Sequence, residues 1–219
     1  MHPFPLALLI AAAEASIQAD GGRTLACGES EVTALRAAPP GVRRVSKERL
    51  TIRWARGTRV FRDTGVVAGE IGGTAYQYCG PVLGYHLIRK ADEGMFTGVL
   101  LDTATGKLLP AGQVVMFAPD SARYFATQQP DGLDGEEWLV YSGTGTRIWK
   151  GLSGISAKAS GGSYDYFVAT LEAPHWTSQG ELSATLRCAS DTTRTSAVTL
   201  RRTAARYSWV PAVHCAPAG

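Results

Sequence analysis

The sequence lacks several features that would assign it to a large class of proteins. A membrane-spanning helix needs about 20 consecutive apolar residues, and the longest apolar run here is the nine-residue segment 5–13, so we expect no such helix. The chain has no Gly-x-Ser-x-Gly elbow and no phosphate-binding glycine loop. These absences argue against a serine hydrolase of that type and against a P-loop nucleotide-binding protein. The four histidines and four cysteines form no His-x-x-x-His or Cys-x-x-Cys pair that would indicate a zinc site.

A strong charge of either sign is also missing. The 219 residues include 22 basic and 19 acidic side chains, which gives a net charge of +3. Since the basic residues are dispersed along the chain, we predict no nucleic-acid partner. With 45% apolar residues, the chain is long enough to bury the core of one large domain or two small ones.

The first 19 residues have the layout of a secretory signal peptide. The apolar run 5–13 is followed by a polar stretch with Ile17 and Ala19 at the −3 and −1 positions of a cleavage site. The region before the run has no Lys or Arg, so a short packed N-terminal helix is the alternative. Arginine outnumbers lysine as in GC-rich bacterial genomes. We therefore predict an exported bacterial protein, periplasmic or secreted, with residues 1–19 as its signal peptide.

The cysteines support export. Cys27, Cys79, Cys188 and Cys215 are even in number and widely spaced, which favours two disulfides in an oxidising compartment. Four cysteines allow three pairings, and the least demanding joins Cys27 to Cys79 and Cys188 to Cys215. Four buried free thiols are the alternative.

Most of the chain after residue 40 has the alternation of antiparallel β-strands. Residues 50–54 put Leu50, Ile52 and Trp54 on one face, and six strands with turn residues between them follow each other in residues 96–151. One short helix is expected in residues 29–38. The prediction is an all-β protein: an antiparallel sandwich or barrel-like meander with hairpins like those of propeller blades, stapled by disulfides.

Residues 96–151 carry a resemblance. The stretch VMFAPDSARYFAT…EEWLVYSGTGTRIWKG resembles the inner strands of a β-propeller blade, and GVLLDTATGKLLP is similar to the outer hairpin of a preceding blade. The likeness covers about a quarter of the chain. No copy recurs at the 40–50-residue period of a propeller. A blade-like meander inside another β fold is therefore favoured over a closed propeller.

A soft boundary is predicted near residue 155, ahead of a Gly- and Ser-rich segment. It separates a β domain over residues 20–155 from a C-terminal β segment over 156–219, which could also belong to the same domain.

The loop 128–137 is the most acidic part of the chain. Asp131, Asp134 and Glu136 could supply oxygen ligands to calcium, although Asp-Gly also marks a polar hairpin turn. A glycoside hydrolase would need two facing carboxylates, for which the candidates are Asp120, Glu136, Glu137, Glu172 and Glu181. No catalytic residue is assigned, and calcium is the only cofactor considered.

Aromatic residues are the better candidates for binding. Most of those in the second half are expected in the core, but Tyr164 and Trp176 are predicted in turns, where they could anchor a protein or stack on a sugar. Ser160-Gly-Gly-Ser-Tyr164 resembles the Ser-Gly-x-x-Tyr loop that periplasmic lysozyme inhibitors insert into the lysozyme cleft. That resemblance implies that Ser160 and Tyr164 are contact residues.

Together these patterns predict an exported, non-catalytic module that binds a protein or a glycan. A hydrolase inhibitor or immunity protein is one alternative, and a carboxylate-dependent glycoside hydrolase is another.

Overall fold

The computed structural model describes residues 23–65, 72–131, 135–158, 165–204, 206–212 and 214–215. The described strands form antiparallel sheets, and the one helix among the described residues has six residues. The predicted all-β, antiparallel class is confirmed. The predicted signal peptide, together with Asp134, Ser160 and Tyr164, lies outside the described residues.

The chain divides into two compact units. The first comprises the described residues up to Glu93 together with Gly98–Met116, and the second comprises Gly94–Thr97 and the described residues from Phe117 onward. The two units thus divide near residue 116, and the segment boundary near residue 155 stays a prediction. Residue 155 lies inside the strand Gly154–Lys158.

The first unit contains most of the shorter strands and the helix. Its elements are β1 (Thr24–Ala26), α1 (Glu31–Arg36), β2 (Val42–Ser46), β3 (Arg49–Trp54), β4 (Gly57–Arg62), β5 (Thr74–Val82), β6 (Tyr85–Asp92), β7 (Met95–Asp102), β8 (Leu108–Ala111) and β9 (Val114–Phe117), of which β7 and β9 extend by a few residues into the second unit. Strands β2, β3 and β4 form one sheet, and β5 to β8 form another in chain order. Strand β1 pairs with β9.

The alternation predicted in β3 is confirmed by its burial. Leu50 and Ile52 are fully buried, whereas Arg49 and Arg53 on the opposite face are exposed. The buried pair belongs to a core cluster with Phe61 of β4 and with side chains of β5, β6 and β7. Burying one face of the sheet in this way fixes its register, because a one-residue slip would turn every apolar side chain outward.

The second unit contains the other eight described strands. They are β10 (Arg123–Gln128), β11 (Glu137–Ser142), β12 (Arg147–Leu152), β13 (Gly154–Lys158), β14 (Asp165–Trp176), β15 (Leu182–Cys188), β16 (Thr195–Thr203) and β17 (Arg206–Val210). Strands β10, β11 and β12 pair in chain order, and β13 to β17 form a five-stranded sheet in chain order. Each strand therefore follows its neighbour through a local connection, which is the meander that the turn spacing predicted.

Both disulfides are present, and each lies within one unit. Cys27 and Cys79 have Cα atoms 4.7 Å apart, and Cys188 and Cys215 have Cα atoms 5.4 Å apart. No cysteine is free among the described residues. The least demanding of the three pairings is thus the one observed, and it fits an oxidising compartment. No helix in the described ranges is long and apolar enough to cross a membrane.

Candidate functional site

Trp176 was predicted to lie in a turn. It lies instead at the end of β14, where it pairs with Leu182. Its ring is half-buried, and the guanidinium carbon of Arg123 lies 5.5 Å from the ring centroid. Arg123 also donates a 2.8 Å hydrogen bond from Nη2 to the carbonyl oxygen of Gly180. The cation–π contact and this hydrogen bond tie the strand end to the neighbouring turn. Trp176 therefore has a packing role that its sequence position did not reveal.

The acidic loop is only partly described. Asp131 is exposed, and Glu136 accepts a 2.7 Å hydrogen bond at Oε1 from the indole nitrogen of Trp138. Within the described ranges, no group of three or more His, Cys, Asp or Glu residues is placed to hold a metal ion. Calcium binding at Asp131, Asp134 and Glu136 stays a prediction.

Two of the candidate carboxylates of a glycoside hydrolase, Glu137 and Glu172, are ion-paired with basic residues. Glu137 is buried and ion-paired with Lys150. Glu172 accepts hydrogen bonds of 2.9 Å from both Nε and Nη2 of Arg187, which lowers its pKa below the usual value. A general acid of this reaction needs a raised pKa instead. The environment of Glu172 is therefore the opposite of the one that glycosidic protonation requires.

His86 is a buried core histidine with a hydrogen-bond partner. It is 4% exposed, and its Nδ1 lies 3.2 Å from the hydroxyl oxygen of Tyr78. Burial lowers the pKa of His86 and raises the pKa of Tyr78 to about 12. Both groups are thus neutral at pH 7. They form a structural pair beneath an open groove in the first unit that is also lined by Trp54 and Leu83.

The second unit contains two adjoining depressions that share one wall. The larger, of about 520 Å³, is lined by Trp149 and Trp209, and the smaller, of about 300 Å³, by Phe167. Leu152 and Ser156 line both. We call these five residues together the double depression. Leu152 is 52% exposed and Phe167 46% exposed, so a large apolar area faces solvent here.

Two glycines in this segment allow the aromatic rings to lie close to the backbone. A Cβ at Gly151 would lie 2.4 Å from the ring of Trp149, and a Cβ at Gly154 would lie 3.1 Å from the ring of Phe167. Aromatic rings that cover strand glycines in this way protect the backbone and lose little conformational entropy on binding. The sequence Gly-Leu-Ser-Gly thus places Leu152 between two aromatic rings.

Edge-to-face contacts with other aromatic rings hold the two tryptophans of the double depression in place. The rings of Trp149 and Trp209 meet edge to face, with centroids 5.8 Å apart, and Trp209 also contacts the buried ring of Trp138 at 6.2 Å. Such T-shaped contacts are the preferred geometry of aromatic pairs. The larger depression is therefore preformed rather than assembled on binding.

Sequence reasoning missed this site because it assigned Trp149 and Trp209 to the core. The available signal was the pair of glycines at 151 and 154 around an apolar residue, in a segment that also looked like a flexible boundary. Ser160 and Tyr164, the residues of the inhibitor-like motif, lie between β13 and β14, the two strands that supply Ser156 and Phe167. In the sequence, the predicted contact motif thus lies between Ser156 and Phe167, two residues of the double depression.

The structure brings none of the predicted site residues with described positions into this double depression. Comparison with protein-family models, with curated proteins and with solved structures gives no match. The resemblance of residues 96–151 to propeller blades therefore stays a prediction.

Proposed function

We propose that this protein is an exported, non-catalytic module that binds another protein through the double depression. The observation that carries the proposal is the apolar lining of the two adjoining depressions, in which Leu152 and Phe167 are exposed and Trp149 and Trp209 are half-buried. Single exposed apolar residues are common on soluble proteins, but contiguous ones mark interaction sites. Tryptophan in a preformed pocket is also the commonest anchor of a protein interface.

A protein partner suits this surface better than a glycan. Two of its members, Leu152 and Phe167, are exposed side chains without a polar atom, whereas sugar recognition depends on hydrogen bonds that orient the hydroxyl groups. The polar side chains of the lining are Ser156 in the shared wall, Lys150 in the larger depression, and Ser153 and Thr170 in the smaller one. Apolar side chains of a partner would fill the two depressions on either side of Leu152.

Export is supported by the two disulfides and by the layout of residues 1–19. The measurement that tests it is the intact mass of protein from its native host, with and without reduction before thiol alkylation. We expect a mass that lacks the first 19 residues and four thiols that appear only after reduction. A full-length mass with four free thiols would contradict export.

Binding is tested by affinity capture from an extracytoplasmic extract with three forms of the protein. These are the wild type, Leu152→Asp, and the control Val32→Asp, which changes an apolar residue of α1 that is 56% exposed. We expect a one-to-one complex with the wild type and the control that Leu152→Asp loses. Equal capture by all three forms would rule out the double depression as the binding surface.

The hydrolase-inhibitor alternative is a special case of protein binding. It is favoured only by the Ser160-Gly-Gly-Ser-Tyr164 motif between β13 and β14. Lysozyme activity on cell walls, measured with increasing protein, tests it directly. If the protein inhibits lysozyme and Tyr164→Ala abolishes the inhibition, the partner is a lysozyme-type hydrolase. If lysozyme activity is unchanged, the partner is another protein.

A further inference from the structure

The arginines that look dispersed in the sequence are concentrated on one face of the sheet β2–β3–β4. Residues 42–62 contain eight basic residues and one acidic residue, Glu48. Since the whole chain has 22 basic and 19 acidic residues, this segment carries a net charge of +7 and the rest of the chain −4. A charge asymmetry of this size within one sheet indicates an anionic partner.

The register shows which side chains share the outer face. Thr51 occupies the centre, with Arg49 and Arg53 two residues away on the same strand and Arg43 directly opposite on β2. On β4, Arg62 lies directly opposite Arg49. We call Arg43, Arg49, Arg53 and Arg62 the arginine face. It spans three strands, about 10 Å across, and roughly 14 Å along them.

Within the described part of the chain, the four guanidinium groups have no carboxylate partner. All four residues are exposed. Arg44, on the inner face, is by contrast paired with Glu31 and Asp63. Like charges directly opposite each other, as at Arg49 and Arg62, destabilise a sheet, so this arrangement costs stability unless an anion binds.

A small polar depression lies in the arginine face. It has a volume of about 230 Å³ and is lined by Arg43, Arg53, Thr51 and Thr58, with Gly41 at its edge. Arginine forms bidentate hydrogen bonds with phosphate, and threonine hydroxyls also donate to it. The depression therefore offers donors to one phosphate group, and the other arginines offer donors to its neighbours.

We propose that the arginine face docks on the phosphate headgroups of an anionic membrane surface. The arginines are spread in two dimensions over a flat sheet, which matches a planar array of headgroups. Val60, 44% exposed, stands directly opposite Thr51 on the same face and would contact the apolar boundary of the headgroup layer. The proposal concerns the first unit and does not rest on the protein-binding role of the second.

A nucleic acid fits this face less well. Single-stranded nucleic acids are bound in grooves with aromatic platforms, and the outer face of β2, β3 and β4 carries no aromatic side chain. The aromatic residues of these strands, Trp54 and Phe61, belong to the inner face. Reading of duplex DNA needs a helix or a narrow ribbon that enters a groove, whereas this face is three strands wide.

The test measures co-sedimentation of the full, oxidised protein with vesicles at 0.1 M NaCl. One set of vesicles contains phosphatidylcholine and phosphatidylglycerol at 7:3, and the other contains phosphatidylcholine alone. The variant Arg43→Gln/Arg53→Gln removes two charges from the arginine face. Its charge-matched control, Arg202→Gln/Arg206→Gln, removes two exposed charges from the second unit.

We expect wild-type binding to the anionic vesicles and none to the neutral ones. Each arginine near an anionic surface changes binding about fivefold, so the face variant should bind about 30-fold more weakly. The control should stay within about a factor of two of the wild type, apart from the general effect of net charge. Thermal unfolding of all forms verifies that the exposed substitutions leave the fold intact.

Three results would overturn the proposal. Equal binding to neutral vesicles would show an apolar contact only, and equal weakening of both double variants would show a net-charge effect only. Absence of binding to the anionic vesicles, with capture of a soluble polyanion such as a single-stranded oligonucleotide or heparin, would assign the arginine face to a linear polymer instead.

Discussion

Replacement of Arg44 tests the polar network that joins four elements of the first unit. Arg44 on β2 donates bidentate hydrogen bonds of 2.9 and 2.8 Å to Glu31 at the start of α1 and a 2.9 Å bond to Asp63, which follows β4. It also donates to the carbonyl oxygen of Tyr76 on β5. The carboxylates in turn accept from the backbone amides of Tyr76 and Tyr78 at 2.8 and 2.7 Å.

The substitution Arg44→Met keeps the aliphatic stem and removes every one of these donors. The side chains of Arg44, Glu31 and Asp63 are 17%, 19% and 13% exposed, so water replaces the lost contacts poorly. Burial alone would lower the pKa of Arg44, but the hydrogen bonds and charges of Glu31 and Asp63 outweigh it and raise that pKa. Removing one partner of such a buried pair costs about 3 kcal/mol, which we expect here.

Equilibrium urea unfolding of the oxidised protein measures this loss, with far-UV circular dichroism as the signal. A loss of about 3 kcal/mol corresponds to a fall in melting temperature of roughly 6–12 °C for a chain of this size. Hydrogen exchange should show that the amides of α1, β2 and β5 lose protection first. The matched control is Arg49→Met, on the exposed face of β3, which should change stability by less than about 0.5 kcal/mol.

Equal stability of Arg44→Met and the wild type would refute the reasoning, because it would show that the two carboxylates are adequately solvated without the guanidinium. The triple variant Arg44→Met/Glu31→Gln/Asp63→Asn supplies a second criterion. Since it leaves no buried charge unpaired, it should recover part of the loss. A triple variant that is less stable than Arg44→Met would indicate that the carboxylates stabilise the fold through the amides of Tyr76 and Tyr78 alone.

Three further predictions concern a buried hydroxyl group, a buried histidine and one disulfide. Thr127 has a buried hydroxyl without a hydrogen-bond partner among the described residues, so Thr127→Val should raise the free energy of unfolding by about 1 kcal/mol, and a lower melting temperature would contradict this. Because burial lowers the pKa of His86, its contribution to stability is complete above the unfolded-state pKa of about 6.5 and is lost as the pH falls below it. When the pH is lowered from 8 to 5, the free energy of unfolding, measured with urea, should therefore fall more for the wild type than for His86→Gln. An equal fall in both proteins would exclude His86 as the cause. Cys27→Ser/Cys79→Ser opens a bridge with a sequence separation of 52 and should cost about 4 kcal/mol, again by urea unfolding; a loss below about 1 kcal/mol would contradict the chain-entropy argument.

Sequence periodicity predicted most of the strands because their residues alternate between a buried and an exposed face. Strand β3 is the clearest example, with Leu50 and Ile52 buried in the core cluster. Two strands were missed for physical reasons. The segment Val42–Ser46 is rich in charge and lacks alternation, and it is anchored instead by the ion pairs of Arg44. The segment Gly154–Lys158 has the composition of a linker and is a strand because β14 pairs with it.

One local turn signal does not end a strand. Gly80-Pro81 is typical of a strand end, but β5 continues to Val82, with a register shift between Tyr78 and Gly80. Pro81 is tolerated there because β5 is the first strand of its sheet, so the missing amide hydrogen interrupts no second ladder. Proline lacks the amide hydrogen wherever it stands. Whether it interrupts a sheet depends on whether its strand lies at the edge or in the centre.

By itself, the sequence predicted the all-β class, the antiparallel meander and the least demanding pairing of the cysteines, because alternation, turn residues and loop length are local properties of the chain. Only the tertiary structure decided which distant residues share a surface. Strand register places Arg43, Arg49, Arg53 and Arg62 on one face, and close approach of the rings at Gly151 and Gly154 builds the double depression. Both surfaces depend on how strands pair across the sheet, and a one-residue change of register would disperse them.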